Sequence, residues 1–181
     1  MRVGETSSAM KLPAILLLAS LCLTNLCVAA PKSPQEVVGE FYAQFPNRKG
    51  NFELKAEELQ NSPSLEAGFK RQLIAQRKGQ FKKDGRWLID FDLLTSLQAD
   101  RPTGSQAGVA KISGNGATVP LLLNYNDGVR GKPHSLNLQV HLRQMPAGWQ
   151  IDNVIYPQPE LTRHDAQSFL RWAQQGSGAK P

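Results

Sequence analysis

The clearest pattern in the chain is Leu136-Asn137-Leu138-Gln139-Val140-His141-Leu142-Arg143. Four aliphatic residues alternate with four polar ones. In an extended chain successive side chains point to opposite faces, so the segment predicts a strand with one face on a core and the other in water. Downstream, Pro146-Ala147-Gly148 turns the chain into Trp149-Gln150-Ile151-Asp152-Asn153-Val154-Ile155-Tyr156, and Pro157 and Pro159 end the sheet. Upstream, Gly114-Asn115-Gly116 is a tight-turn signal. It joins a strand around Val109 to Ile112 to another over Val119 to Tyr125, in which Pro120 predicts an edge or a bulge. Asn126-Asp127-Gly128 and Gly131-Lys132-Pro133 bound the loop that leads back to Leu136.

Before Trp87 the pattern is helical. Ser33-Pro34-Gln35-Glu36 predicts a helix start, with Ser33 as N-cap, Pro34 in the first turn and Glu36 completing a capping box. Val37, Val38, Phe41, Tyr42 and Phe45 follow at three- and four-residue spacing up to Pro46. A second start is expected at Ser62-Pro63, with Leu65, Phe69, Leu73 and Ile74 as the buried stripe and Gly79 as the stop. Thr162 with Asp165 predicts a short last helix carrying Phe169, Leu170 and Trp172, and a disordered tail is expected over 176–181. Helices followed by consecutive antiparallel strands predict an α+β domain, N-terminal helices packed on a curved antiparallel sheet with a short C-terminal helix.

The first thirty residues predict export. Lys11 precedes an apolar run from Leu12 to Leu23, and Val28-Ala29-Ala30 supplies small residues for a signal peptidase. The run is about a dozen residues, shorter than the roughly 20 a membrane-spanning helix needs, so a cleaved leader (residues 1–30) is expected rather than an anchor. The start could be Met1 or Met10. Leu21 and Leu26 precede Cys22 and Cys27, which argues against lipid attachment, and no cysteine follows Ala30. The remainder, residues 31–175, is expected to be one domain in the periplasm or outside the cell, large enough for a single core and held without disulfides.

The whole chain has a net charge of +6, one unit of which leaves with Arg2, Glu5 and Lys11 of the leader. Lys70, Arg71, Arg77, Lys78, Lys82, Lys83 and Arg86, with Phe81 and Trp87 among them, could hold a polyanion. Several fall near a helix C-terminus, where cations offset the macrodipole, and no nucleic-acid partner is expected.

Gly148 to Pro157 resembles the closing strand of an exported bacterial family, domain-of-unknown-function family 3828 (DUF3828). Ser33 to Phe45, Pro63-Ser64-Leu65 to Gln76-Arg77, and Ile89-Asp90-Phe91-Asp92 agree with it. The resemblance implies a bacterial source and a cone-shaped fold similar to nuclear transport factor 2-like proteins, in which helices and a bent sheet enclose a pocket. It implies no established reaction. In cone-fold isomerases and hydrolases an inward Asp is the base, so the resemblance permits Asp90 or Asp152 that role.

Three carboxylates are the candidate catalytic residues. In an extended segment the spacing of Asp90 and Asp92 puts both on one face, with Ile89 and Phe91 on the other, an arrangement suited to a metal or to a general base. The plainer alternative has Asp92 capping the turn at Leu93-Leu94-Thr95 and Asp90 solvated or paired with a lysine. Asp152-Asn153 lies where the alternation begun by Trp149 and Ile151 changes phase before Val154 and Tyr156, which predicts a β-bulge; such bulges re-aim side chains near sites. The alternative is a turn-stabilising Asn beside a solvent-facing Asp. Trp87, Phe91, Trp149, Asn153 and Tyr156 are the candidate ligand-binding residues, and aromatic bulk serves equally as core. His134, His141 and His164 lack a second ligand at metal spacing, so no metal and no cofactor are expected. The sequence has no Gly-x-Ser-x-Gly and no His-Glu-x-x-His motif. These observations point first to a non-catalytic envelope domain binding a small molecule or a partner protein, and second to a cone-fold enzyme with an Asp base. An immunity-type or wall-associated protein is a further alternative.

Overall fold

The first helix begins where its cap residues put it. In the computed structural model, which describes residues 30–48, 53–98, 100–156 and 164–177, α1 spans Pro34–Tyr42. The Ser33 N–H donates to Glu36 Oε2 at 2.7 Å and the Glu36 N–H donates to Ser33 Oγ at 3.3 Å, the reciprocal box predicted. Its buried face is Val37, Val38, Phe41 and Tyr42, with Phe45 just beyond. The expected leader through Ala29, the expected sheet stop at Pro157 and Pro159, Thr162, and the expected tail from residue 178 onward lie outside the described residues. The described residues from Pro31 onward belong to one unit.

Two further helices follow, α2 (Ala56–Asn61) and α3 (Ala67–Arg77). The expected start at Ser62-Pro63 is displaced: Ser62 closes α2, and α3 begins after Glu66, whose carboxylate accepts the Phe69 N–H at 2.9 Å. Glu66 caps because it can take that orphan N–H, whereas residues 64–66 are drawn into the sheet. The Ile151 N–H donates to Ser64 O and the Glu66 N–H to Ile151 O, at 2.7 and 2.8 Å. Leu65 is therefore buried from an extended segment rather than from the helix. Gly79 ends α3 at φ +75°, and the Gln80 N–H reaches back to Ala75 O at 3.1 Å.

The strands are β1 (Lys82–Lys83), β2 (Arg86–Trp87), β3 (Arg101–Ala107), β4 (Lys111–Ser113), β5 (Gly116–Asn126), β6 (Pro133–Met145) and β7 (Gly148–Ile155). Strands β1 and β2 pair with each other; the main sheet is antiparallel in the order β3-β5-β6-β7, with β4 also on β5. The predicted alternation holds. Leu138, Val140 and Leu142 are buried and cross-paired with Leu121, Val119 and Ala117, while Asn137, Gln139 and Arg143 face out. Helix α1 packs on β3, β5 and β7, and α3 and α4 (Ala166–Ser177) pack on β7, so the helices cover one face of the sheet. The architecture is α+β, as expected. Helix α4 runs two residues past the expected domain end at 175.

Pro120 stands in an interior strand and is tolerated for a visible reason. Its missing N–H faces the break between β3 and β4, where Gly108 donates to Pro120 O at 2.7 Å. A Cβ on Gly108 would lie 3.4 Å from both Pro120 Cβ and Pro120 O, so the two segments pack at van der Waals contact there.

The segment 92–97 is a loop inside the core. Leu93, Leu94 and Thr95 are fully buried and Leu97 nearly so. Buried backbone needs partners. Tyr42 Oη donates to Leu94 O at 2.8 Å and Tyr156 Oη to Leu93 O at 2.5 Å, so two buried phenols satisfy two loop carbonyls. Tyr42, Phe45, Phe69 and Tyr156 fill the space between helices and sheet.

Candidate functional site

The three carboxylates fall in three different environments. Asp90 and Asp92 do not share a face, because the chain bends at Phe91 and turns at Leu93-Leu94-Thr95 instead of running extended. Asp90 is exposed and accepts the Gln98 Nε2–H at 3.0 Å. Asp92 is fully buried. Its Oδ1 accepts the Leu94 N–H, the Thr95 N–H and the Thr95 hydroxyl at 2.9, 2.8 and 3.0 Å, and its Oδ2 is paired with Arg77 Nη2. The turn-capping alternative for Asp92 is the one observed. With its oxygens committed to the turn and to a guanidinium, it is not placed to take a substrate proton.

Phe91 and Tyr156, expected at a ligand, are structural neighbours. The Phe91 ring meets Tyr156 and Phe169 edge-on, with centroids 6.0 and 5.0 Å away. Tyr156 is fully buried, and its hydroxyl is already bonded. Burial, and then the charge of Asp92, push both the Tyr42 and the Tyr156 phenols well above the usual range. Trp149 is half-buried against the core, and the side chain of Trp87 lies outside the described residues.

The bulge is where the phase change put it. His141 pairs with Asn153 and Leu142 with Ile151, so Asp152 is the extra residue. The two residues then part. Asn153 turns to the last helix: Nδ2 donates to Asp165 Oδ1 at 3.0 Å, and Oδ1 accepts the N–H groups of Val154 and Gln167, each at 3.0 Å. It docks α4 rather than a ligand. The Asp165 carboxylate accepts the Ser168 N–H at 2.9 Å and so caps that helix.

Asp152 instead joins the outer face of the sheet, which no helix among the described residues covers. Its Oδ2 lies 3.3 Å from Arg143 Nη2, and with Lys111, Asn115, Thr118 and His141 it lines a shallow depression of about 280 Å³. Glu66 also feels Arg143: burial pushes its carboxyl up, but the Gly68 and Phe69 N–H groups and then the Arg143 charge outweigh this and hold it below the usual range. A second depression of about 310 Å³ follows along β5 and β6, lined by Gln106, Gly108, Pro120, Leu122, Asn137 and Gln139. Gln106, Asn137 and Gln139 are exposed and hold no side-chain hydrogen bond among the described residues. At the neighbouring edge Val109 and Ile112 are 79% and 60% exposed.

His134 sits across from Asp127 at 3.4 Å and stacks on Tyr125, and His164 is exposed. No group of three or more His, Cys, Asp or Glu able to hold a metal ion occurs among the described residues, and no helix among them is long and apolar enough to cross a membrane. The basic cluster is divided: Arg77 is buried in ion pairs, Lys70 bonds Ser62 O at 2.6 Å, and Phe81 is buried. What the sequence did not single out is the amide ladder of the uncovered face. Its signal was the polar half of the alternation that gave the core.

No family model matches the chain, and no curated protein does. Among solved structures, a chain of the type VI native effector-immunity complex Tae3-Tai3 from Ralstonia pickettii is similar at 17% identity and a TM-score of 0.41, covering 71% of this chain and 98% of that one.

Proposed function

We propose that this is an exported, non-catalytic binding domain that docks a partner protein of the cell envelope on the uncovered face of its sheet. Export rests on the leader. Membership of family 3828 and a cone-shaped bend of the sheet, similar to nuclear transport factor 2-like proteins, belong to the same proposal and rest on the residues quoted for them. The observation that carries the reading is the contrast between the two faces. On the inner face large side chains occupy the space a small ligand would need. On the outer face Gln106, Asn137 and Gln139 stand unbonded beside Lys111 and His141, around two open depressions.

Amide side chains both donate and accept, which suits a polypeptide's own amides and polar side chains. The one carboxylate of the site, Asp152, is paired with Arg143, leaving Lys111 to favour an acidic partner. Val109 and Ile112 supply apolar contact at the edge, where interfaces gain their anchors. Against an Asp-based enzyme, Asp92 is committed to its turn and to Arg77, Asp90 is held by Gln98 at the surface, and Asp152 is paired with Arg143 beside an open depression.

The test compares retention of envelope proteins by the wild-type protein and by the double variant Lys111→Glu, Gln139→Glu. Both positions are exposed, so folding is expected to survive. A protein retained by the wild type and lost from the variant supports the reading. Equal retention by both contradicts it.

A further inference from the structure

The hairpin of β1 and β2 forms a sheet of its own, and β1 packs on α4. Its strands are joined by Asp84 and Gly85, at φ +50° and +77°. Positive φ at both central residues makes a type I′ turn, which suits the twist of a hairpin and fixes its register. Lys83 then stands directly opposite Arg86, and Lys82 opposite Trp87. Phe81 and Ile89 are buried on either side of the hairpin, and the Leu88 N–H donates to Phe81 O at 3.1 Å. The base is thus fixed to the core, while every residue from Lys82 to Arg86 is exposed.

Directly paired residues share one face of a sheet, with Cβ atoms about 5 Å apart, and like charges so placed destabilise the pair. Lys83 and Arg86 are such a pair. Neither side chain has a hydrogen bond or ion pair among the described residues, and the same holds for Asp84, the one carboxylate of the hairpin. Lys82, on the opposite face, has a partner of its own. A rigid turn therefore holds two free cations side by side with no anion between them.

We propose that this face of the hairpin binds a phosphate group between Lys83 and Arg86. The guanidinium takes two oxygens with parallel N–H donors, and the ammonium takes a third as a point charge. A carboxylate offers one pair of oxygens, which the guanidinium alone satisfies, so a tetrahedral anion suits the two cations better. The chain's net charge of +6 draws anions toward it. Lipid head groups and soluble phosphate both offer this chemistry. The site is separate from the docking face on the main sheet.

Two measurements test the proposal. The isotopically labelled protein is titrated with inorganic phosphate and with acetate at constant ionic strength, followed by its NMR resonances. It is also sedimented with vesicles of phosphatidylglycerol in phosphatidylcholine and of phosphatidylcholine alone. Saturable shifts at Lys83 and Arg86 with phosphate and not with acetate assign the site to a soluble ligand. Sedimentation with phosphatidylglycerol vesicles, without shifts from free phosphate, assigns it to lipid head groups. Lys83→Gln and Arg86→Gln should each weaken the binding about fivefold, as loss of one cation near an anionic surface does. Lys132→Gln, an exposed cation of another loop, should change it by less than about twofold, because distant charges are screened. Neither hairpin variant should lower the midpoint of thermal unfolding, because each removes one of two opposed like charges. Binding to neither source, equal shifts with acetate, an equal loss from Lys132→Gln, or a lowered midpoint in both hairpin variants would overturn the proposal.

Discussion

Replacing Asp92 by asparagine tests the most consequential reassignment, from candidate base to anchor of a buried loop. Asn keeps an Oδ1 able to accept from the Leu94 N–H, the Thr95 N–H and the Thr95 hydroxyl, which Asp92 now holds at 2.9, 2.8 and 3.0 Å. It replaces the oxygen facing Arg77 with an NH2 group, setting donor against donor. Removing one member of a buried ion pair costs about 3–5 kcal/mol. Arg77 keeps Glu53 at 3.3 Å and Leu54 O at 3.1 Å, and its side chain is 10% exposed, so the lower end applies, about 3 kcal/mol. For a domain of about 150 residues each kcal/mol moves the unfolding midpoint by roughly 2–4 °C, so a fall of about 6–12 °C is expected. The assay is thermal and urea unfolding followed by circular dichroism, with Asp90→Asn as control; that exposed position should stay within about 0.5 kcal/mol of wild type. An Asp92→Asn protein as stable as the Asp90→Asn protein would show that Asp92 does not anchor the loop.

Alkali should unfold the protein through its buried phenols. Tyr42 and Tyr156 are pushed above the ordinary value of 10.0 by burial first and the Asp92 charge second. Stability is then complete below pH 10 and falls as the pH rises past it, because the unfolded chain releases phenol protons that the folded chain retains. The slope is about 1.4 kcal/mol per pH unit for each tyrosine. Denaturant midpoints between pH 9 and 11 measure it, and Tyr156→Phe should halve the slope. Asn153→Ala should cost about 2 kcal/mol by removing the bonds to Asp165 and Gln167. Hydrogen exchange should show the loss first in α4, and uniform loss across the molecule would contradict the docking role. Arg143→Ala removes a pair whose guanidinium side is 56% exposed, so unfolding should change by no more than about 1 kcal/mol. The same variant should weaken partner retention, and full retention would exclude Arg143 from the face.

The elements that could be read from sequence are those whose local chemistry and tertiary setting agree. Leu138, Val140 and Leu142 alternate because one face of β6 is buried along its middle, and the Ser33–Glu36 box is local to four residues. The bulge at Asp152 was legible from a change of phase, which only an extra residue produces. Strand β3 was not. Arg-Pro-Thr-Gly-Ser-Gln-Ala carries no hydrophobic period and is held by backbone pairing to β5. Helix α2 hides for the same reason, with Leu59 as its one buried residue. Pro63 resembled a helix start because it follows Ser62, and only the long-range pairing with Ile151 assigns that segment to the sheet edge. At the candidate sites the residues were identified but their partners were not. Arg77, Thr95 and Gln98 decide what Asp92 and Asp90 do, and Asp165 and Gln167 decide what Asn153 does. Those are relations between distant or differently oriented residues, which spacing does not encode.

Binding of another protein on the outer sheet face would bring that protein within reach of Asn137 and Gln139. Site-specific photocrosslinking addresses it directly, with a photoreactive phenylalanine analogue placed in turn at Asn137 and Gln139 on that face and at Glu57 of α2 as a control, all three exposed. The protein is irradiated in its native envelope. One and the same adduct is expected from Asn137 and Gln139 and none from Glu57. Adducts from Glu57 alone, or no adduct from either sheet position, would contradict it.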